Sequence, residues 1–557
     1  MKFKNFTLTL FLMLAGVCYS QDFTIETSNV QDGFKISMQI VNNAATNVTV
    51  DWGNGQTETL LVAGLEKSFI APTGLTGQPA TITIDGGGKV EVVSFDNVKI
   101  DKFTVNTVND RLWSLLINEA GLTTLDITNA TALTKLDAPL NKLTSVDLTG
   151  NPLLTQISLN GNAVLENITA PASLADLTSL SLNNTKITTA SVQNILSIAP
   201  NVENLYINKK EDEEDNKLTS VNLNNNTKIK NLHLQNNNLS GVLDLGSCTS
   251  LEQALLNNNK ISSVIVNSTA LTYINLSNNK VSMLDVSGAP NLENLYCSNN
   301  ELETLDLTGN AALNNILLNN NKLKSITLNP SISTLNTLEL RDNSFTFGTL
   351  PQVAVAAGKY LYTGQEDFAI SVKTGALFSI DMSAYMNPFP AGSVVPGTAG
   401  QESTIQWYGN YSDPAFSMLD PNFGDYSYDA ATKTFTFMDL IGLGFNDNTV
   451  YGIITNPAFP LGQFRTVTVE LGKSPVGIGT ETSETSNCYY SARSGEIVYN
   501  VKGAQSIRIV NLSGQVVYTQ ALNSDEGQLS VNNLEKGIYI VQIQTADSIV
   551  KQKFVKK

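Results

Sequence analysis

Apolar residues recur through the middle of this chain in a fixed nine-residue phrase, apolar at positions one, four and six and asparagine at nine. It is plainest in Leu271-Thr-Tyr-Ile-Asn-Leu-Ser-Asn-Asn279, Leu292-Glu-Asn-Leu-Tyr-Cys-Ser-Asn-Asn300 and Leu313-Asn-Asn-Ile-Leu-Leu-Asn-Asn-Asn321, which start 21 residues apart. The alternation at four, five and six predicts a short strand with four and six inward and three, five and seven outward. The asparagine is placed to satisfy backbone groups where the chain leaves the strand, because its amide both donates and accepts. A unit this short cannot bury its apolar side alone, so neighbouring units must supply one another's core.

Phrases begin at Leu112, Leu133, Leu154, Leu177, Val202, Ile229, Leu251, Leu271, Leu292, Leu313 and Leu335, and the ninth residue is Asn in eight of the eleven. Ala120, Thr185 and Lys210 are the exceptions. Self-similarity at this period is the signature of a leucine-rich repeat solenoid, here residues 105–350. The second half of each unit repeats the pattern in miniature, as in Leu143-Thr-Ser-Val-Asp-Leu148 and Leu302-Glu-Thr-Leu-Asp-Leu307. It predicts a second extended segment on the opposite face, no helix of note, a flat cross-section and a nearly straight rod. Between Leu154 and Ile229 the spacing widens to 23, 25 and 27 residues. The widest gap carries Lys209-Lys-Glu-Asp-Glu-Glu-Asp-Asn-Lys217, expected to be a solvated loop. Its acids lack the glycine-punctuated ligand spacing of a calcium loop.

Both flanks alternate with period two. Phe34 to Ile40 and Val48 to Trp52 read as strands, with Gly53-Asn-Gly55 as a hairpin turn, so residues 22–104 are expected to form an N-terminal β domain capping the first rung. Val48-Thr-Val-Asp-Trp-Gly-Asn-Gly55 resembles a turn found at the start of many bacterial surface repeat proteins. Trp52 is expected in the core. Residues 351–471 read as strands again: Ala376 to Ile380, Ser403 to Trp407, Thr434 to Met438, Val450 to Ile454 and Arg465 to Val469. Their spacing around Trp407 suits an immunoglobulin-like sandwich. A Gly, Ser and Thr-rich linker follows at 472–487. The fold class is therefore mainly β, a solenoid flanked by a β cap domain and C-terminal β-sandwich modules.

In the tail, Ser506 to Tyr518, Leu534-Glu-Lys-Gly-Ile-Tyr-Ile-Val-Gln-Ile543 and Lys551-Gln-Lys-Phe-Val-Lys-Lys557 resemble, in order and spacing, the type A C-terminal sorting domain of the bacterial type IX secretion system. The resemblance covers residues 488–557 and implies delivery by that machinery, to be secreted or held at the outer surface of a Gram-negative bacterium. Residues 1–20 fit a secretory signal, with basic Lys2 and Lys4, an apolar run from Phe6 to Val17 and cleavage after Ser20. No later stretch is long and apolar enough to span a bilayer, so no transmembrane segment is expected in the mature chain.

The 557 residues are 42% hydrophobic and only 15% charged, with a net charge of −16 and pI near 4.6. A surface tracking phosphates needs clustered Lys and Arg, so nucleic acid is not expected as a partner. Beyond the signal stand Cys248, Cys297 and Cys488, an odd number without metal or disulfide spacing. Cys297 fills an inward rung position, where a thiol acts as a small hydrophobe. The sole histidine, His233, excludes multi-histidine metal sites and any Ser-His-Asp triad not built on it. Asp244 sits on the other face of the same rung, too far round to orient it. No phosphate loop, metalloprotease helix or other cofactor motif is present. A carboxylate-only glycosidase needs a deep pocket that flat strands do not supply. The expectation is binding without catalysis or cofactor.

Rungs about 4.8 Å apart turn each motif position into a ladder. Position five runs Leu116, Asp137, Ser158, Ser181, Tyr206, His233, Leu255, Asn275, Tyr296, Leu317, Glu339. With Tyr273 at position three and Gln235 and Asn257 at position seven, Tyr206, His233, Asn275 and Tyr296 form a mixed aromatic and amide surface, the candidate ligand site. Rings over amides suit a protein ligand or sugar rings. A second ladder, Asp126, Asp147, Asp244, Asp285 and Asp306, is expected opposite, either as aspartates bonded to their own backbone or as calcium ligands. The layout resembles bacterial surface proteins that join internalin-like repeats to an immunoglobulin-like module. That resemblance implies protein recognition or adhesion, with a polysaccharide-binding accessory protein and a passive surface-layer spacer as alternatives.

Overall fold

The computed structural model describes residues 21–209 and 218–351 apart from Asn43 and Asn97, and most of 353–556, the longest gaps being 371–378, 387–402 and 472–486. The expected signal, acidic loop and most of the linker lie outside the described residues. The chain divides into two compact units, one of residues 1–340 with 355–360 and one of 341–354 with 361–557.

In the first unit the phrases stack in parallel, each strand taking positions three to five. Tyr273–Asn275 pairs with Asn294–Tyr296, which pairs with Asn315–Leu317, always in motif register. The same register runs back through Asn204–Tyr206 and Lys135–Asp137 to Ser114–Ile117. Leu271, Ile274 and Leu276 are fully buried, as are their counterparts Leu292, Leu295 and Cys297. Each such Leu or Ile contributes about 1.5–3 kcal/mol by leaving water.

The ninth-position asparagine closes each rung. The Nδ2 of Asn300 donates to the Leu276 carbonyl of the preceding rung at 2.9 Å and to its own rung's Cys297 carbonyl at 3.2 Å. Its Oδ1 accepts from the Val281 N–H at 2.9 Å. Asn259 and Asn321 repeat the arrangement. Where asparagine is missing, other groups serve. Thr185 Oγ1 donates to the Leu182 carbonyl at 2.9 Å, and the buried Lys209 ammonium donates to the Thr185 carbonyl. At Ala120 the next rung's Asn141 accepts from the Ala120 and Leu122 N–H groups, both at 3.0 Å.

Position eight holds a second device. Asn236, Asn258, Asn278, Asn299 and Asn320 all adopt left-handed φ between 55° and 62°, a region asparagine tolerates better than most residues. Each later Nδ2 donates to the Oδ1 of the one before, at 2.6–2.7 Å.

The opposite face departs from expectation. Strands Thr124–Asp126, Ser145–Asp147 and Asn167–Thr169 form one end of an eight-stranded sheet, which then stops. The next rung carries a helix, Thr189–Ile198, contrary to the all-extended reading. The 25-residue unit gives room for it, Thr188 caps its N-terminus through the Ser191 N–H, and Val192, Ile195 and Leu196 face the core. One rung on, Gln193 of this helix bonds the Asn222 backbone through both amide atoms. Strands resume as separate sheets at Ser240–Leu245, Lys260–Val266 and Met283–Asp285, then Thr304–Leu307 and Ser325–Leu328.

The N-terminal residues are continuous with the rungs. Val92–Asp96 pairs in parallel with Ser114–Ile117, and Lys102–Val105 with Thr124–Asp126. Each sheet then continues antiparallel through Lys35–Gln39 to Lys67–Ile70 and through Phe23–Thr27 to Thr57–Val62. Between these layers sits buried Trp52, edge-on to Phe34 at 6.5 Å. The hairpin needs glycine at Gly53: φ is +80°, and a Cβ would lie 2.5 Å from the Thr81 carbonyl oxygen.

The second unit holds two antiparallel sheets around Trp407. Thr404–Gly409 pairs with Thr449–Thr455, and Thr434–Phe437 lies between Ser379–Asp381 and Tyr426–Asp429. Trp407 packs edge-on to Phe435 and Phe437, so the rings meet between the sheets. In the tail, Gly537–Gln544 buries Tyr539, Val541 and Ile543 and pairs with Ser506–Asn511 and Ile549–Lys556. Lys556 Nζ donates to the Val531 and Asn532 carbonyls, both at 2.6 Å, and to that of Leu534 at 2.5 Å.

Candidate ligand-binding face

All seven residues singled out from the sequence lie on the strand face or at its margin, and all are half-buried. The stack orients them: Leu205, Leu232, Ile274 and Leu295 point inward and are fully buried, which turns their neighbours Tyr206, His233, Asn275 and Tyr296 outward. Position five forms one ladder in which Tyr206, His233, Leu255, Asn275, Tyr296 and Leu317 are successive register partners.

The rings meet in two pairs. Tyr206 and His233 contact edge to face with centroids 4.7 Å apart. Tyr273 reaches diagonally across one rung to Tyr296, at 5.2 Å and 77°. Between the pairs lie Leu255 and Asn275. Position-three amides, which the sequence reading passed over, hold the first pair. Tyr206 Oη donates to Asn204 Oδ1 at 3.3 Å, Asn231 Nδ2 donates to the same oxygen at 2.8 Å, and His233 Nε2 meets Gln253 Oε1 at 3.4 Å. Their spacing was legible, since they occupy the same motif position as Tyr273. Gln235 and Asn257 sit at the margin where the chain leaves the strands. Gln235 Oε1 is buried without a protein donor.

From Tyr206 to Tyr296 the outward positions three, five and seven carry no charged residue. Burial holds the His233 imidazole below its ordinary pKa, with the Gln253 bond partly offsetting it. Burial, then the neighbouring Tyr296, raises the Tyr273 phenol. Neutral rings and amides therefore make up the stripe at physiological pH, while Glu203, Lys230 and Glu252 lie along one border, Lys230 pairing with Glu203 at 2.9 Å.

The opposite aspartates do not form one ladder. They belong to three sheets, and each carboxylate accepts a backbone N–H two residues on: Thr128, Thr149, Gly246, Ser287 and Thr308. These are self-contained turns. Hydrogen bonds from Ser287 and Thr308 hold Asp285 and Asp306 below the ordinary carboxylate pKa. Cys248, Cys297 and Cys488 are free, and burial raises them to about 11, 12 and 12. Among the described residues no helix is long and apolar enough to cross a membrane.

A family model described as "Secretion system C-terminal sorting domain" matches residues 493–557. The tail is thus a sorting domain, and the chain bears the mark of an exported protein. None of the curated proteins compared matches the chain. Among solved structures, the functional domain of InlJ from Listeria monocytogenes is 19% identical, covering 70% of this chain and 93% of that one with a TM-score of 0.36. YopM from Yersinia enterocolitica is 20% identical over 50% of this chain and 66% of its own, at 0.32. InlP from Listeria monocytogenes is 15% identical over 68% and 87%, at 0.25.

Proposed function

We propose that this is an outer-surface or secreted protein of a Gram-negative bacterium that captures a protein ligand on its strand face, in adhesion. The observation that carries the reading is the stripe of Tyr206, His233, Leu255, Tyr273 and Tyr296 set among neutral amides on a rigid sheet. An aromatic centre with a polar rim is the composition of an interface hot spot. Rings fixed by neighbours lose little freedom on binding. Export through the type IX machinery, acting on residues 488–557, would bring that face to the cell exterior. We read the 351–471 module as immunoglobulin-like, a common companion of surface repeats.

Binding is favoured over catalysis by the setting of His233. Its Nε2 faces the Gln253 amide and its ring packs on Tyr206, and among the described residues no carboxylate orients it and no serine, cysteine or threonine bonds it. A neutral glycan is the second reading, favoured by the uncharged amides beside rings on which a sugar could stack.

The test presents the immobilised full chain to protein and glycan arrays beside Leu255→Arg, which sets a charge in the middle of the stripe. Capture of a protein lost in Leu255→Arg, with an unchanged melting temperature, is expected. Capture that survives the arginine would place the ligand elsewhere.

A further inference from the structure

We propose that the sandwich around Trp407 holds a second binding site, independent of the strand face, in which an alkylammonium group sits in the cleft where the two sheets part. The cleft has a volume of about 340 Å³ and is walled chiefly by Met386, Ile405, Pro421, Tyr426, Tyr428 and Phe435. This is the small end of ligand-pocket sizes and suits a compact group.

Its walls offer ring faces in several orientations. Tyr428 stacks on Phe435 with centroids 4.5 Å apart, and Tyr426 is tilted by 56° to Phe435 at 5.7 Å. Exposure grades from 39% at Tyr428 to 3% at Phe435, so the rings run from mouth to floor. The strands fix the arrangement: Tyr428 and Phe435 are direct register partners, and Tyr426 lies two residues along the same strand on the same side.

Charge selects the occupant. Asp420 and Asp425 are clasped beside this wall, the Asp420 N–H donating to Asp425 Oδ2 at 2.9 Å and the Asn422 N–H to Asp420 Oδ1 at 2.8 Å. Both are close enough to Tyr426 to add to burial in raising its phenol pKa. Among the described residues no lysine or arginine lines the cleft. Asp429 and Lys433, at the tip of the same hairpin, are opposite in sign. A largely apolar, aromatic-walled recess with two nearby carboxylates attracts a cation through ring quadrupoles and charge together, and the same two carboxylates disfavour an anion.

The test is calorimetric titration of the full chain with choline, with Nα-acetyl-lysine N-methylamide, and with 3,3-dimethylbutanol, the neutral isostere of choline. At least one cation is expected to bind, and the alcohol to bind about tenfold more weakly or not at all. Choline alone would identify trimethylammonium headgroups as the source, and the lysine amide alone a protein side chain. Tyr428→Ala should weaken the cation about tenfold and Tyr428→Phe leave it within about twofold, because the ring and not the hydroxyl does the holding. Asp425→Asn should weaken it several-fold. Melting temperatures would confirm that each variant folds. Equal binding of the neutral alcohol, no binding of either cation, or equal loss in Tyr428→Ala and Tyr428→Phe would overturn the site.

Discussion

The two faces of the solenoid are built from the same repeat yet obey different rules. On the strand face a single sheet passes without interruption from Lys67–Ile70 through every rung to Thr337–Glu339. Across the core, the other face breaks into sheets of eight, three and two strands around one helix. The difference lies in what closes each turn. The buried asparagine beside the strand face bonds the rung before it as well as its own, so it fixes the distance between neighbours. Opposite, the aspartates accept from their own chain two residues on, and a buried asparagine reaching the preceding unit is present only in some units, as at Asn151, Asn226 and Asn310. A cross-rung bond repeated in most rungs imposes one period, and one that comes and goes tolerates a helix or a longer unit.

Asparagine itself illustrates the contrast. Asn300 is buried with its amide committed, whereas Asn275, on the strand face, turns outward and accepts from the Ser277 N–H at 3.0 Å. One residue type holds the stack at position nine and furnishes surface at position five.

The most damaging single change to this contrast should be Asn300→Ala, which strips partners from the Leu276 and Cys297 carbonyls and the Val281 N–H. A loss of about 3 kcal/mol is expected in chemical denaturation. Next comes the left-handed relay. Asn299→Val should cost about 1–2 kcal/mol, since it loses the relay bonds and a β-branched residue is strained at φ 57°, while Asn299→Gly, which loses the bonds without the strain, should cost less.

The thiols give an alkaline test of the core. Native Cys297 and Cys248 keep their protons to higher pH than the unfolded chain does. Stability is therefore undiminished below an ordinary thiol pKa of about 8.5 and falls as pH climbs toward 11 to 12. Alkylation of both at pH 8 should follow global unfolding, and modification of the folded protein would contradict their burial. The smallest effect belongs to the opposite face. Asp285→Ala should cost under about 1 kcal/mol. With Asp285 and Asp306 held below the ordinary carboxylate pKa, their contribution is complete above about pH 3.9 and is lost as pH falls through the lowered values. The strand-face amides do not titrate, so acid should loosen the aspartate turns first in hydrogen exchange.

How much of this was legible follows from the same contrast. The strand-face register was, because Leu and Asn at fixed spacing name both the inward residues and the inter-rung bond. The tail was as well, since Tyr539, Val541 and Ile543 alternate inward as the motif requires. The helix at Thr189–Ile198 was missed although Thr188 and the spacing of Val192, Ile195 and Leu196 announce it; the miniature repeat in neighbouring units outweighed a ten-residue signal. The breaks opposite could not be read, because the buried asparagines there that bond the preceding unit, Asn151, Asn226 and Asn310, recur in only some of the units. At the candidate site, Tyr206 and His233 follow from the ladder, but the diagonal meeting of Tyr273 and Tyr296 depends on side-chain rotamers that position alone does not set.

The direct test of a surface offered by one face alone is ligand capture by the full chain carrying alanine at Tyr206, Tyr273 and Tyr296 together. Capture should vanish while the melting temperature stays close to that of the parent, because these rings are half-exposed and the Asn300 network is untouched. Capture at parental strength would show that the strand face is not where the ligand binds.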